Sequence, residues 1–258
     1  MQSTGGRMRT TNLGFLLAMA ATGCVVSPEG AQDEMEPEAA LAAESFGDNL
    51  DIPAIVLPKW VPIAGKSQQR WTQEYWRWLL AQPASQNPEL VLDQDCGTNQ
   101  SGPVFFIPGF AADVYTRHCD VPFGKLVLVP IWSYLNDYPC PDPNFQPPPG
   151  ETLQEFLTEG AQAFNEQVTE LEARVDGHLV KYTKHRLTTP LFEFTGSATL
   201  STTFDACITG TPQHGVSDGW WAMIAPPAPG QHTIEITAIA PSGNATSQTF
   251  ELTVAFPD

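Results

Sequence analysis

Apolar residues recur along this chain with two different periods, and the switches between them mark its elements. Trp71, Tyr75, Trp78 and Leu79 fall at i, i+4, i+7 and i+8, the stripe of a helix, and Trp76 and Leu80 widen it. Ser67 stands where that helix needs an N-cap, and it runs to about Gln82, before Pro83. A second helix is predicted from Thr152, where Thr152 and Glu155 form a capping box. Leu153, Phe156, Leu157, Phe164 and Val168 continue its apolar face, which Gly160 weakens. Beyond it the period becomes two. Leu171, Ala173 and Val175 alternate with charged residues, Asp176-Gly177 supplies a type I′ turn, and Val180 and Tyr182 fall opposite Ala173 and Leu171. Further strands are expected at 104–107, 126–131, 191–194 and 221–224. At the C-terminus Ile234, Ile236 and Ala238 face one way, answered by Phe250, Leu252, Val254 and Phe256 across a Pro-Ser-Gly-Asn loop. Many short strands separated by Pro and Gly turns make the chain mainly β. The expected fold is an antiparallel β-sandwich, Ig-like or jelly-roll-like, with two accessory helices packed at an edge or end.

The first 51 residues do not follow this texture. Arg7 and Arg9 precede about ten apolar or small residues that end in Ala20-Ala21-Thr22-Gly23-Cys24. This is the layout of a secretory signal peptide over 1–23, too short to span a bilayer. Its close resembles a bacterial lipobox, with Cys24 as the lipidated first residue and Ala21 where leucine is more common. The following stretch to residue 51 carries Glu29, Asp33, Glu34, Glu36, Glu38, Glu44, Asp48 and Asp51 and no basic residue. So acidic a segment, poor in aromatics, reads as an extended disordered spacer, and 52–258 as a single domain. Val25 and Ser27 after the cysteine, with no aspartate at the next position, point by analogy with enteric lipoprotein sorting to the outer membrane or cell surface.

Charge and cysteines narrow the setting. Removal of 1–23 leaves ten Lys and Arg against 29 Asp and Glu, a formal charge of −19. Such a surface repels phosphate backbones, which excludes nucleic acid as a partner. With Cys24 assigned to lipid, four cysteines remain for two disulfides, with three possible pairings. Cys96 and Cys119 flank a strand and the loop after it and are paired on that ground, which leaves Cys140 with Cys207. The absence of C-x-x-C spacing argues against zinc.

Each candidate for chemistry has a structural reading beside it. Trp71, Tyr75, Trp76 and Trp78 could stack on a sugar, but helical spacing makes them a core face. Trp220 and Trp221 are adjacent on a strand and point to opposite faces, so one of them leaves the core and is a candidate binding residue. The basic cluster Lys181, Lys184 and Arg186, with His178 and His185 nearby, could receive an anionic group. It could equally neutralise the helix carrying Glu155, Glu159, Glu166 and Glu170. His118 and Asp120 flank a cysteine assigned to a disulfide, which is no thiolate. Ser217, near His214, stands in Gly215-Val216-Ser217-Asp218-Gly219, a literal Gly-x-Ser-x-Gly match, but 214–218 reads as a polar loop rather than the strand-to-helix elbow of a hydrolase. His232 shares the parity of Ile234 and Ile236, at the core edge. Asp93-Gln94-Asp95 with Asn99, and Asp137 with Asp142 and Asn144, offer oxygens for calcium without following an EF-hand loop. No other cofactor is expected.

Four blocks together resemble an uncharacterised family of exported bacterial proteins and lipoproteins. They are Gly65-Lys66 with the Trp-rich run 71–78 and Asn87-Pro88; Cys96-Gly97 with Gln100-Ser101-Gly102-Pro103-Val104-Phe105-Phe106; Thr116-Arg117-His118-Cys119-Asp120-Val121-Pro122 with Gly124-Lys125 and Pro130-Ile131; and Asp218-Gly219-Trp220-Trp221 with Pro226 and Pro229-Gly230-Gln231-His232-Thr233-Ile234. The resemblance implies one domain, export and the Cys96–Cys119 pairing, and brings no activity with it. The expected function is a surface-anchored, non-catalytic lipoprotein that binds an extracellular glycan or protein partner. The alternative is a periplasmic or cell-surface hydrolase whose catalytic groups converge only in three dimensions.

Overall fold

Residues 54–109 and 113–256 are described in a computed structural model of the chain, all within one compact unit, Asp48–Asp258. The expected signal peptide, Cys24 and the acidic spacer lie outside the described residues.

The alternating segments form two sheets. The first is built on β4 (Leu126–Tyr138) and β9 (Pro212–Ile224), the longest strands, paired antiparallel. β1 (Val56–Leu57), β7 (Arg186–Thr188) and β8 (Phe192–Thr195) share the other edge of β9, and β2 (Val104–Phe106) lies beside β4. The second sheet runs β3 (Val114–Pro122), β11 (Ala245–Ala255), β10 (Gly230–Ile239), β5 (Thr169–Val175), β6 (His178–Leu179). Two pairings are parallel, β2 with β4 and β3 with β11, so the sandwich is mainly rather than wholly antiparallel.

The first sheet is covered on both faces. Val127, Val129, Ile131, Ala222 and Ile224 meet the second sheet's Ile234, Ile236, Phe250, Leu252 and Val254 in one core. Leu128, Trp221 and Met223 point the other way, into a second core with α1 (Gln68–Ala81). The parity of β4 changes at an irregularity between Pro130 and Trp132, after which Trp132, Tyr134 and Asn136 continue the face of Val127 and Val129. There α2 (Leu153–Asn165) takes over from the second sheet as cover: Phe164 stacks on Tyr134 with centroids 4.1 Å apart, and Asn136 donates to the carbonyl of Leu157. Gly160 of α2 is an adaptation to that contact, because a Cβ there would meet the Asn136 amide. It lets the helix approach the strand, at a cost in helix propensity.

Both caps appear as the sequence implies: Ser67 accepts from the Arg70 N–H, and Thr152 and Glu155 close their box. Both disulfides are formed, Cys96–Cys119 and Cys140–Cys207, which marks a protein of an oxidising compartment. Several expected boundaries are corrected. The 9-residue strand β3 was not anticipated, and the expected strands at 126–131 and 221–224 extend to 13 residues each. The segment 214–218 is strand rather than loop. The hairpin after Asp176-Gly177 keeps its register through Val180, whose N–H donates to Ala173 O, but Tyr182 opens a 3-10 turn instead of pairing with Leu171. Phe256 lies past the last strand, exposed, against Phe123.

Candidate functional site

Among the described residues, β4 has a strand on its outer edge only across Leu126–Leu128, where β2 pairs with it. Past that point the edge borders a cavity of about 370 Å³. Its wall contains Pro130, Ile131, Trp132 and Ser133 of β4, Trp76 of α1 and Phe164 of α2. Ala240, Pro241 and Ser242 of the β10–β11 loop also line it. Glu89, Asp113 and Gln248 supply polar groups. A concave, mainly apolar space of this size with a few convergent polar groups is the usual form of a small-molecule site.

Glu89 is the unusual member. It is 8% exposed, and its Oε1 accepts from the Tyr75 hydroxyl at 2.7 Å and the Gly109 N–H at 2.9 Å. Among the described residues no hydrogen bond reaches Oε2. Burial pushes the carboxyl up to about 7; the bonds from Tyr75 and Gly109 and the attraction of Arg117 pull the other way and lose. The same burial, with Glu89 alongside, raises the Tyr75 hydroxyl well above its ordinary value.

The loop carrying Glu89 is held from four directions. Asn87 donates to Leu79 O, at the C-terminal end of α1, and accepts from the Glu89 N–H. Arg117, 3% exposed on β3, donates to the carbonyls of Pro88, Val91 and Leu92 at 2.7–3.1 Å. Downstream, the Cys96–Cys119 disulfide ties the same connection to β3. Gly109 completes the cradle: its carbonyl accepts from Tyr115, and a Cβ there would lie 2.5 Å from Glu89 Oε1. A rigid first contact of this kind is what a binding site requires.

The residues singled out from sequence go elsewhere. Trp221 is fully buried against α1, its ring 5.0 Å from that of Tyr75. Trp220 is half-buried at the margin of the other core, edge-on to Tyr182 and under the Arg186 guanidinium at 5.2 Å. Neither reaches the cavity; the most exposed tryptophan is Trp60, at 77%. Lys184 is exposed on the 3-10 turn and Lys181 is exposed just before it. Arg186 is engaged by the fully buried Asp218 (2.9 and 3.1 Å to Oδ2), with Glu166 at 3.6 Å. Asp218 accepts as well from Thr188 at 2.5 Å and Asn165 at 3.0 Å. Arg186 is thus held by an acid, but its chief partner is Asp218 of β9 rather than the glutamates of the preceding helix, a pairing that sequence separation concealed.

Trp71, Tyr75, Trp76 and Trp78 are core, with Trp76 Nε1 donating to Ser217 Oγ. That bond buries Ser217 on the α1 face of β9, whereas His214, three residues along, takes the opposite face beside Glu193. His118 is exposed against Glu251, and His232 sits at the core edge between Asp176 and the Ala228 carbonyl. Asp95 and Asp142 accept from the backbone N–H two residues on, which explains both as turn residues. Asp137 instead faces Asp205, and with burial as the larger cause its carboxyl rises to about 7. Cys207 lies within ligand distance of both, but its sulfur is in a disulfide and unavailable to a metal.

Sequence reasoning gave no part in a site to Glu89, Arg117, Trp132 or Phe164. For Arg117 a signal existed, since it shares the parity of Tyr115, Cys119 and Val121 on an alternating strand, all four buried. Glu89 follows Asn87-Pro88 in an aperiodic connection and offered none.

No protein-family model matches the sequence, and no curated protein is significantly similar to it. A chain from the structure of PbICP-C in complex with falcipain-2 matches over 60% of this chain and 98% of its own, at 10% identity and a TM-score of 0.20. A likeness that slight carries no argument about fold or function.

Proposed function

We propose that this chain is a lipid-anchored protein of the bacterial cell envelope that binds a small extracellular ligand in the cavity beside β4, without turning it over. The observation that carries the reading is the cavity itself, aromatic on three sides and holding a rigidly mounted carboxyl. A concave space of this size favours a small molecule or the end of a glycan over a flat protein partner. The signal-like segment, the residues before Cys24 and the two disulfides support export and anchoring, as does the resemblance to an exported family.

Two measurements test it. Cys24→Ser should move the protein out of the membrane fraction or leave it unprocessed; a mature N-terminus elsewhere, free of lipid, would refute the anchor. Ala240→Trp, on the loop at the cavity rim, should abolish binding of glycan and small-molecule fragments seen by ligand-observed NMR while melting stays as in the wild type. Binding indifferent to that change would refute the site. One observation favours the hydrolase instead: a carboxyl at about 7 suits general acid–base work, and Asp113 lines the same cavity. Turnover of a glycoside or ester panel that disappears in Glu89→Gln would replace the binding reading.

A further inference from the structure

We infer that the cavity selects an organic cation, an ammonium group carried on an apolar body, drawn to Glu89 and packed against Trp76, Trp132 and Phe164. This rests on the binding reading above and names its ligand class. Among the described residues, the charges lining the cavity are those of Glu89 and Asp113, both acidic, and no Lys, Arg or His joins them. Arg117, the cation near Glu89, has its fork committed to three backbone carbonyls and does not line the space. A ligand anion would meet only like charge there. A ligand ammonium would meet the free side of a buried carboxylate, together with aromatic rings whose faces attract cations most strongly when water is excluded. A chain with a formal charge of −17 also draws cations toward its surface from a distance.

Burial supports the same choice. Burial holds Glu89 near 7 against the pull of Arg117. An ammonium placed beside it would stabilise the ionised form, so cation binding and proton release are linked. The groups facing Glu89 are Tyr75 of α1, the Gly109 N–H and Arg117 of β3, with Tyr115 next to Tyr75 and Asp113 elsewhere in the cavity lining. Among these, the carboxyl pushed to about 7 is Glu89, and it sets the expected pH dependence.

The ammonium could arrive on an aryl-alkyl amine or as a quaternary headgroup, and two matched probe pairs separate these sources. Phenethylamine is compared with 2-phenylethanol, and choline with its uncharged isostere 3,3-dimethylbutan-1-ol, by isothermal titration of the full chain at pH 8 and pH 5.5. At pH 8 at least one cation should bind roughly tenfold more tightly than its neutral partner. The advantage should shrink at pH 5.5 as Glu89 takes up its proton, and vanish in Glu89→Gln with the neutral probe's affinity kept. A preference confined to phenethylamine or to choline identifies the source. Equal binding of cation and neutral partner at pH 8, or a preference that survives in Glu89→Gln, overturns the inference. Neutral probes that bind and are displaced by Ala240→Trp would then leave the cavity reading standing. If neither cation nor neutral probe shows binding sensitive to Ala240→Trp, both readings fall together.

Discussion

Replacing Glu89 by Gln should stabilise this protein at neutral and alkaline pH, and the pH at which the gain appears is set by the structure. Glu89 moves from an ordinary 4.5 in the unfolded chain to about 7 when folded, because burial penalises its ionised form more than Tyr75, Gly109 and Arg117 help it. Between those two values the folded state holds a proton that the unfolded state has lost, so stability falls as pH rises through the window. At about 1.4 kcal/mol per pH unit, the full cost above pH 8 is on the order of 3 kcal/mol. Glutamine keeps an oxygen for the Tyr75 hydroxyl and the Gly109 N–H and carries no charge at any pH. Urea unfolding followed by tryptophan fluorescence at pH 4.5, 6, 7 and 8 should give near-equal stabilities at the acid end. The variant should pull ahead between pH 5 and 7, then hold a constant lead. Asp137, also raised to about 7, titrates in both proteins and drops out of the difference. A difference that ignores pH would refute the argument. So would a variant that becomes the weaker protein as pH rises, since Arg117 would then outweigh desolvation.

Four other outcomes are expected. Gly109→Ala should cost about 1–3 kcal/mol in urea unfolding, because the new Cβ forces the Glu89 carboxyl aside, and wild-type stability would show that the cradle is slack. Arg186→Met leaves Asp218 buried with only Thr188 and Asn165 and should cost on the order of 3–5 kcal/mol. Neutralising Lys181 and Lys184 should change stability by no more than about 0.5 kcal/mol each, and equal losses at all three positions would return the basic cluster to functional interest. Replacing Cys140 and Cys207 by Ala reopens a separation of 67 residues and should cost about 4 kcal/mol, against about 3 kcal/mol for the 23 residues between Cys96 and Cys119; melting curves of the two double variants that do not differ from wild type would refute the loop-closure account.

Glu89 and Trp221 mark the two ends of what could be read in advance. Trp221 announced its strand through alternation with its neighbours, and only the choice of face remained open. That choice depends on which layer covers which side of β9, and α1, far away in sequence, covers the side on which Trp221 lies. Glu89 announced nothing. An acid in an aperiodic loop is most often solvated, and its burial comes from Arg117, Tyr75 and Gly109, each contributed by a different part of the chain.

From the sequence alone follow the features that depend on near neighbours: the helix caps at Ser67 and Thr152, the α1 stripe, the Asp176-Gly177 turn, the mainly β character and the acidic surface. These are set by side-chain period, backbone preference and local hydrogen bonds, which act over a few residues. The cavity is of another kind. It exists because β2 ends at Phe106 while β4 runs on to Tyr138, and because the strand's parity changes between Pro130 and Trp132. It also needs α2 and the β10–β11 loop, which both contribute to its lining. Pairing register and layer cover are decided by the summed packing of segments distant in sequence, and no local pattern encodes them. The carboxyl at about 7 inherits that dependence, since desolvation is a property of the assembled surroundings and not of the glutamate.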